Sequence, residues 1–193
     1  MESLSDDEII RRVLGGSTRS FADLVERHQD KAMTLATRML RNREEAEEAV
    51  QDAFVRAFNG LQRFEKRSRF STWFYRIVFN VCSTALSKRG ELRHLSSEGA
   101  EEEGGVEIPD LTEMPDAIVE GEDFRRHVLD AMNGLPPLYS GIVTMFYLDD
   151  LGYEEIAAIT GSPLGTVKAR LFRARAMLRE GILQRTGTKE FAR

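Results

Sequence analysis

From residue 94 to residue 123 the chain runs "HLSSEGAEEEGGVEIPDLTEMPDAIVEGED", with eleven carboxylates and not one Lys or Arg. Pro109, Pro115 and the pair Gly104-Gly105 interrupt any helical period. Burial of so few large apolar groups cannot repay the entropy lost on ordering such a segment. It therefore reads as a mostly disordered acidic linker, and the 193 residues divide into two small units, 1–93 and 124–193.

Both units carry the 3.6-residue period of amphipathic helices and no strand pattern of useful length. In the first, Phe21, Leu24, Val25, His28, Ala32, Leu35, Ala36 and Met39 recur at three and four. After a break at "RNRE", a second stripe follows: Ala46, Ala49, Val50, Ala53, Phe54, Ala57, Phe58 and Leu61. Glu44, Glu45, Glu47 and Glu48 sit near its N-terminus, where the helix dipole favours negative charge. A third helix, about Ser71 to Lys88, has Trp73, Phe74, Ile77, Val78, Val81, Cys82, Ala85 and Leu86 on its packed face. His28 is expected to pack rather than bind a ligand. Cys82, the chain's one cysteine, is expected to be buried; alone it permits neither an internal disulfide nor a thiolate metal cluster.

The second unit is punctuated clearly. A helix near "FRRHVLDAMNG" ends at Gly134 before Pro136-Pro137, a second spans "LYSGIVTMFYLDD", and "GYEEIAAIT" opens a third. Ser162 as N-cap and Pro163 as first helical residue would then start a fourth. The expected fold is all-α, in two small helical domains joined by a flexible linker.

Charge is segregated. The net charge is −5, yet residues 62–93 and residues 161–193 each hold eight Lys or Arg against two acids. Two basic patches flank one acidic stretch, and that distribution matters more for nucleic-acid binding than the total. In the first patch, "FEKRSRFS" (64–71) leads into the helix, and Tyr75, Arg76, Phe79 and Asn80 lie off its apolar stripe, with Phe79 open to burial by an adjacent helix. Aromatic rings, an amide and cations are what unstacked bases need. In the second, "YEEIAAITGSPLGTVKARLFRAR" has helix-turn-helix grammar: short helix, Gly-containing turn, second amphipathic helix. Leu164, Val167, Leu171, Ala174 and Leu178 form its buried stripe; Gly165, Ala169, Phe172 and Arg173 lie opposite, flanked by Thr166, Lys168 and Arg170. Short residues near the helix start permit close approach to a major groove, and long cations hold phosphates and guanine edges. A merely solvated basic face is the plainer alternative. His28, His94 and His127 lack metal-ligand spacing, no Gly-rich phosphate loop or nucleophile–base set is visible, and no membrane-length apolar run occurs. The acidic start "MESLSDDEII" does not read as a signal peptide.

Taken together, "REEAEEAVQDAFVRAFNGLQRF" followed by "RFSTWFYRIVFNV" resembles the sigma-2 domain of bacterial extracytoplasmic-function (ECF) sigma factors. "YEEIAAITGSPLGTVKARLFRAR" resembles their sigma-4 signature. The resemblance implies a cytoplasmic, non-enzymatic initiation factor without cofactors. It would bind the RNA polymerase core through its clamp helices and flap, engage promoter DNA, and be held by an anti-sigma factor. By the same resemblance Glu47, Glu48, Gln51 and Asp52, with Phe54, would dock on polymerase. Phe64, Lys66, Arg67, Arg69, Tyr75, Arg76 and Asn80 would read the −10 element, and Ser162, Thr166, Lys168, Ala169, Arg170, Phe172 and Arg173 the −35 element. Ala169 departs from the hydroxyl side chain common there, so no relative's −35 preference transfers. A helix-turn-helix repressor or activator on duplex DNA, or a sigma-like decoy for an anti-sigma factor, are the other readings the residues admit.

Overall fold

The computed structural model describes residues 4–65, 68–91 and 122–186, and among these there are helices and turns but no strand. Lys66, Arg67 and nearly all of the acidic stretch lie outside the described residues. The first unit contains α1 (Asp6–Leu14), α2 (Phe21–Leu40), α3 (Arg43–Gly60) and α4 (Phe70–Lys88). The second contains α5 (Glu122–Gly134), α6 (Pro137–Val143), α7 (Tyr153–Thr160) and α8 (Leu164–Thr186).

Local chemistry sets these ends. The Ser5 hydroxyl and the Glu8 carboxylate form a reciprocal capping box that starts α1, each satisfying a backbone N–H left over at the helix start. The chain reverses between α2 and α3 in two residues. Arg41 takes the left-handed conformation, φ 56°, and its N–H donates to the Thr37 carbonyl at 2.9 Å. Asn42 then caps α3 by accepting from the Glu45 N–H at 3.1 Å.

The apolar stripes of α2 and α3 meet as the sequence pattern predicts: Leu24, Ala32, Leu35, Ala46, Ala53 and Ala57 are buried. Small residues on α3 let it approach α2 closely, and α4 closes the core. Phe74 is fully buried there, stacked on Phe54 with ring centroids 4.3 Å apart and on Phe70 at 5.9 Å. His28 is buried beside the Phe70 and Phe74 rings, and its Nε2 lies 2.9 Å from the Asp6 carboxylate, tying α2 to α1. Cys82 is buried, and loss of solvation pushes its thiol pKa up to about 12.

In the second unit, α6 starts after Pro136 and runs into a π turn, Thr144–Leu148. The widened turn closes with the Asp149 N–H donating to the Thr144 carbonyl at 3.2 Å, five residues back, instead of the four of an α-helix. Glu155 accepts from the Gly152 N–H at the start of α7, and Gly161, φ 66°, ends it in the left-handed region where a Cβ is disfavoured. The stripe Val167, Leu171 and Ala174 buries α8, with Leu178 half-buried and Leu164 exposed at the start.

The two units pack on each other. α6 lies on α2 and α7 lies on α4, so one apolar core runs through both. Gly141 allows the first contact: a Cβ there would stand 3.1 Å from the Met39 Cγ. Polar contacts join the same faces, Arg38 donating to the Asn133 side chain at 2.6 Å and Arg41 to the Leu135 carbonyl. Helix α4 is therefore buried on two sides, toward α2 and α3 on one and toward α7 on the other.

Candidate nucleic-acid and polymerase interfaces

That two-sided burial divides the rings of "RFSTWFYRIVFN" differently from the sequence expectation. Phe74 and Val78 pack inside the first unit, while Trp73 and Ile77 are only half-buried. Tyr75 and Phe79, expected off the packed stripe, are 3% and 5% exposed. They sit one helical turn apart on one face of α4, and Tyr75 faces Asp149, which follows the π turn of the second unit. The hydrophobic periodicity marks one packed face well, but it cannot show that a second unit covers another.

Asp149 is itself buried, with Lys31 Nζ 3.9 Å from its Oδ1. Burial pushes its carboxyl pKa up, with Lys31 and Tyr75 pulling the other way. Burial, then the neighbouring carboxylate, pushes the Tyr75 phenol up as well. The Tyr75 hydroxyl and the Asp149 Oδ2 are each buried without a well-formed hydrogen bond among the described residues. Unpaired buried polar atoms cost about 1–3 kcal/mol each, so this contact is held shut by the apolar packing around it.

Of the remaining −10 candidates, Lys66 and Arg67 lie outside the described residues, Phe64 and Arg69 precede α4, and Arg76 and Asn80 lie within it. Arg69, Arg76 and Asn80 are exposed. Phe64 is half-buried against Trp73, centroids 5.0 Å apart, and edge-on to Phe70 at 6.1 Å. The result is an aromatic ledge, Phe64–Trp73, on the unit that also exposes Arg69, Arg76 and Asn80.

On α8 the outer face is open at Gly165 and at Phe172, which is 43% exposed; Thr166, Lys168, Ala169, Arg170 and Arg173 are half-buried. The Lys168 ammonium lies 5.7 Å from the Tyr153 ring centroid, a cation–π distance. Arg170 turns inward, donating to the Ser162 Oγ at 3.1 Å, and its burial lowers the guanidinium pKa. Ser162 does not cap the helix as the sequence predicts. The first helical bond runs from the Val167 N–H to the Pro163 carbonyl at 3.1 Å, which puts Pro163 at the cap position and frees the Ser162 hydroxyl for Arg170.

On α3 the polar candidates share one outer face, with Asp52 half-buried. Glu47 pairs with Arg43 at 2.9 Å, Asp52 pairs with Arg56 at 2.8 Å, and Glu48 and Gln51 are exposed. The strip continues into Val55, 58% exposed, and Phe58, 37% exposed. Val55 is absent from the sequence-based candidates. Its signal is an apolar residue out of phase with the buried stripe, one turn beyond Gln51 and Asp52. Among the described residues there is no group of three or more possible metal ligands, and no helix is long and apolar enough to cross a membrane.

The Sigma-70 region 2 family matches residues 24–91, and the Sigma-70 region 4 family matches residues 125–178. The ECF RNA polymerase sigma-E factor of Haemophilus influenzae is 34% identical over 185 residues, covering 94% of this chain and 97% of its own. The Escherichia coli K12 sigma-E factor is 35% identical over 178 residues, with 90% and 92% covered. Bacillus subtilis SigW is 33% identical over 174 residues, with 89% and 93% covered. Among solved structures, RpoE of Bartonella quintana in complex with the anti-sigma factor NepR aligns with a TM-score of 0.60 at 26% identity, covering 85% of this chain and 97% of that one. CnrH in complex with the cytosolic domain of CnrY aligns at 0.61 and 21% identity, over 91% and 95%, a likeness of fold.

Proposed function

The chain belongs to the ECF sigma factors, and from that premise we propose how its surfaces divide the work of promoter recognition. It is an alternative sigma factor, directing transcription initiation by binding rather than by making or breaking bonds. Region 2 is the first unit and region 4 the second. The α3 strip Glu47, Glu48, Gln51, Asp52 and Val55 docks on the polymerase clamp helices, while region 4 reaches the flap. The outer face of α8 enters the major groove of the −35 element with Gly165 and Phe172 leading. Thr166, Lys168 and Arg173 flank them, and Arg170 braces the turn through Ser162. The ledge of Phe64 and Trp73, with the exposed Arg69, Arg76 and Asn80 of the same unit, receives an unpaired base of the −10 element. Unstacking costs a few kcal/mol, which two base–aromatic contacts at about 1–3 kcal/mol each offset. Tyr75 joins that ledge once region 4 has moved off it. An anti-sigma partner is proposed as well, since the solved relative of highest identity given above is itself in an anti-sigma complex.

The observation that supports this reading is that a helix-turn-helix and an aromatic ledge, Phe64–Trp73, occur on separate units of one chain. Run-off transcription with purified core polymerase tests it. Promoter-specific transcripts are expected only when the chain is added, and their absence from every candidate promoter would sink the reading in favour of a polymerase-free duplex binder. A narrower expectation concerns Asn80, whose side chain is exposed. Asn80→Ala should lower discrimination between −10 sequences by about tenfold, one lost base hydrogen-bond set at roughly 1–2 kcal/mol, with core binding in a polymerase pull-down unchanged. Equal loss of both would make Asn80 structural.

A further inference from the structure

Ser162 stands between the two helices of the helix-turn-helix and is bonded to both. Its backbone N–H donates to the Thr160 Oγ1 at 3.3 Å, at the end of α7, and its own Oγ accepts from Arg170 at 3.1 Å, within α8. Arg170 lies eight residues further along the chain, so the contact reaches from the turn past the first turn of α8. Gly161 reverses the chain just before it, at φ 66°. Arg170 is half-buried, and the phenol of the buried Tyr139, on α6, acts on its charge.

A side chain used in this way is withdrawn from DNA. A guanidinium donates through a rigid planar fork, so the N–H group that Arg170 turns toward the Ser162 hydroxyl is not offered to a phosphate. Gly165 and Phe172 are exposed on the same helix, and the angle at which α8 leaves the turn fixes where they point. The two bonds at Ser162 set that angle, one toward α7 and one toward α8. A recognition helix free to rock in the groove keeps its phosphate contacts, which carry no sequence information. It loses base contacts, which need placement within about 0.5 Å.

We propose that Ser162 and Arg170 form a positioning pair for −35 recognition. Arg170 holds α8 at its reading angle through Ser162 and touches neither base nor phosphate. The pair therefore governs sequence discrimination, while the general attraction to DNA is left to other cations, Lys168 and Arg173 among them. The proposal rests on the −35 assignment of the preceding subsection.

The test uses the full chain assembled on core polymerase. The probe is the duplex that the unmodified protein enriches from a pool randomised over about 10 base pairs, one turn of the major groove, beside an unselected duplex of the same length. Affinities are measured between about 50 and 200 mM salt. Ser162→Ala and Arg170→Met should each bind the selected duplex about tenfold more weakly, the effect of one lost hydrogen bond to a charged group. The double variant should bind no more weakly than either alone, as for residues that act as one unit. Ser162→Thr, which keeps the hydroxyl, should bind as the unmodified protein does. Arg170→Met should keep the unmodified salt slope, and the unselected duplex should bind every variant equally.

A slope shallower by about 0.9 for Arg170→Met would make Arg170 a phosphate contact and overturn the proposal. So would additive losses, a Ser162→Ala protein of full affinity, or a Ser162→Thr protein as weak as Ser162→Ala. Enrichment of no duplex by the unmodified protein would remove the −35 assignment, and the positioning pair with it. An enriched duplex accompanied by any of the preceding results refutes the positioning pair alone.

Discussion

Replacing Phe74 by alanine is expected to lower the unfolding free energy by about 3–5 kcal/mol, the range for removing a fully buried aromatic ring. Phe74 is the ring on which α3 and α4 meet. It stacks on Phe54 at 4.3 Å and on Phe70 at 5.9 Å, and it also lies beside His28, which ties α2 to α1. No neighbour can collapse into the space without abandoning one of these contacts. Domains of this size have only about 5–15 kcal/mol in hand, so the variant should melt roughly 10 °C or more below the unmodified chain. Thermal or urea unfolding followed by circular dichroism would show it. A loss under about 1 kcal/mol would mean that the ring cluster repacks freely.

Val55→Asp separates function from stability in the opposite sense. The side chain is 58% exposed at the end of a charged strip, so its replacement should change stability by no more than about 0.5 kcal/mol. If that strip docks on polymerase, Val55 is its apolar anchor. A carboxylate there would be desolvated without a partner, beside the existing Asp52. A cost of about 2 kcal/mol is typical for such an anchor, which makes core-polymerase binding about thirtyfold weaker. Surface plasmon resonance against immobilised core polymerase would read this directly, and an unchanged dissociation constant would remove α3 from the interface. The melting curve of the same protein serves as the control.

Most of the buried stripes of α2, α3 and α8, the burial of His28 and Cys82, and the helix-turn-helix were legible in the sequence, because each depends on local periodicity and punctuation; Phe58 and Leu164, expected in those stripes, are instead exposed, and α8 starts one residue later than expected. Helix α1 was not anticipated, although Ser5 and Glu8 stand at capping-box spacing, a signal easily hidden under the acidity of the N-terminus. Tyr75 and Phe79 were another matter. A helical wheel assigns residues to faces but holds no record of what those faces meet, and α4 meets a neighbour from 60 residues or more further along the chain. The Arg170–Ser162 hydrogen bond was hidden for a related reason. A guanidinium on a basic helix looks ready for phosphate until the turn beside it offers a hydroxyl. Val55 is the converse, an apolar residue whose exposure among the described residues is the informative fact.

The π turn at Thr144–Leu148 carries a consequence about phase. A turn widened by one residue is, in effect, a one-residue insertion in an α-helix, and it rotates everything that follows by about 100° around the helix axis. The residue whose N–H closes that turn is Asp149. The insertion thus decides which way Asp149 looks as the chain leaves the helix. Without the added residue, a polypeptide of nearly the same composition would aim the carboxylate away from Tyr75, and the two halves of the molecule would meet without recognising each other's polar groups. How firmly this sigma factor folds shut is, on that view, a matter of counting residues as much as of choosing them.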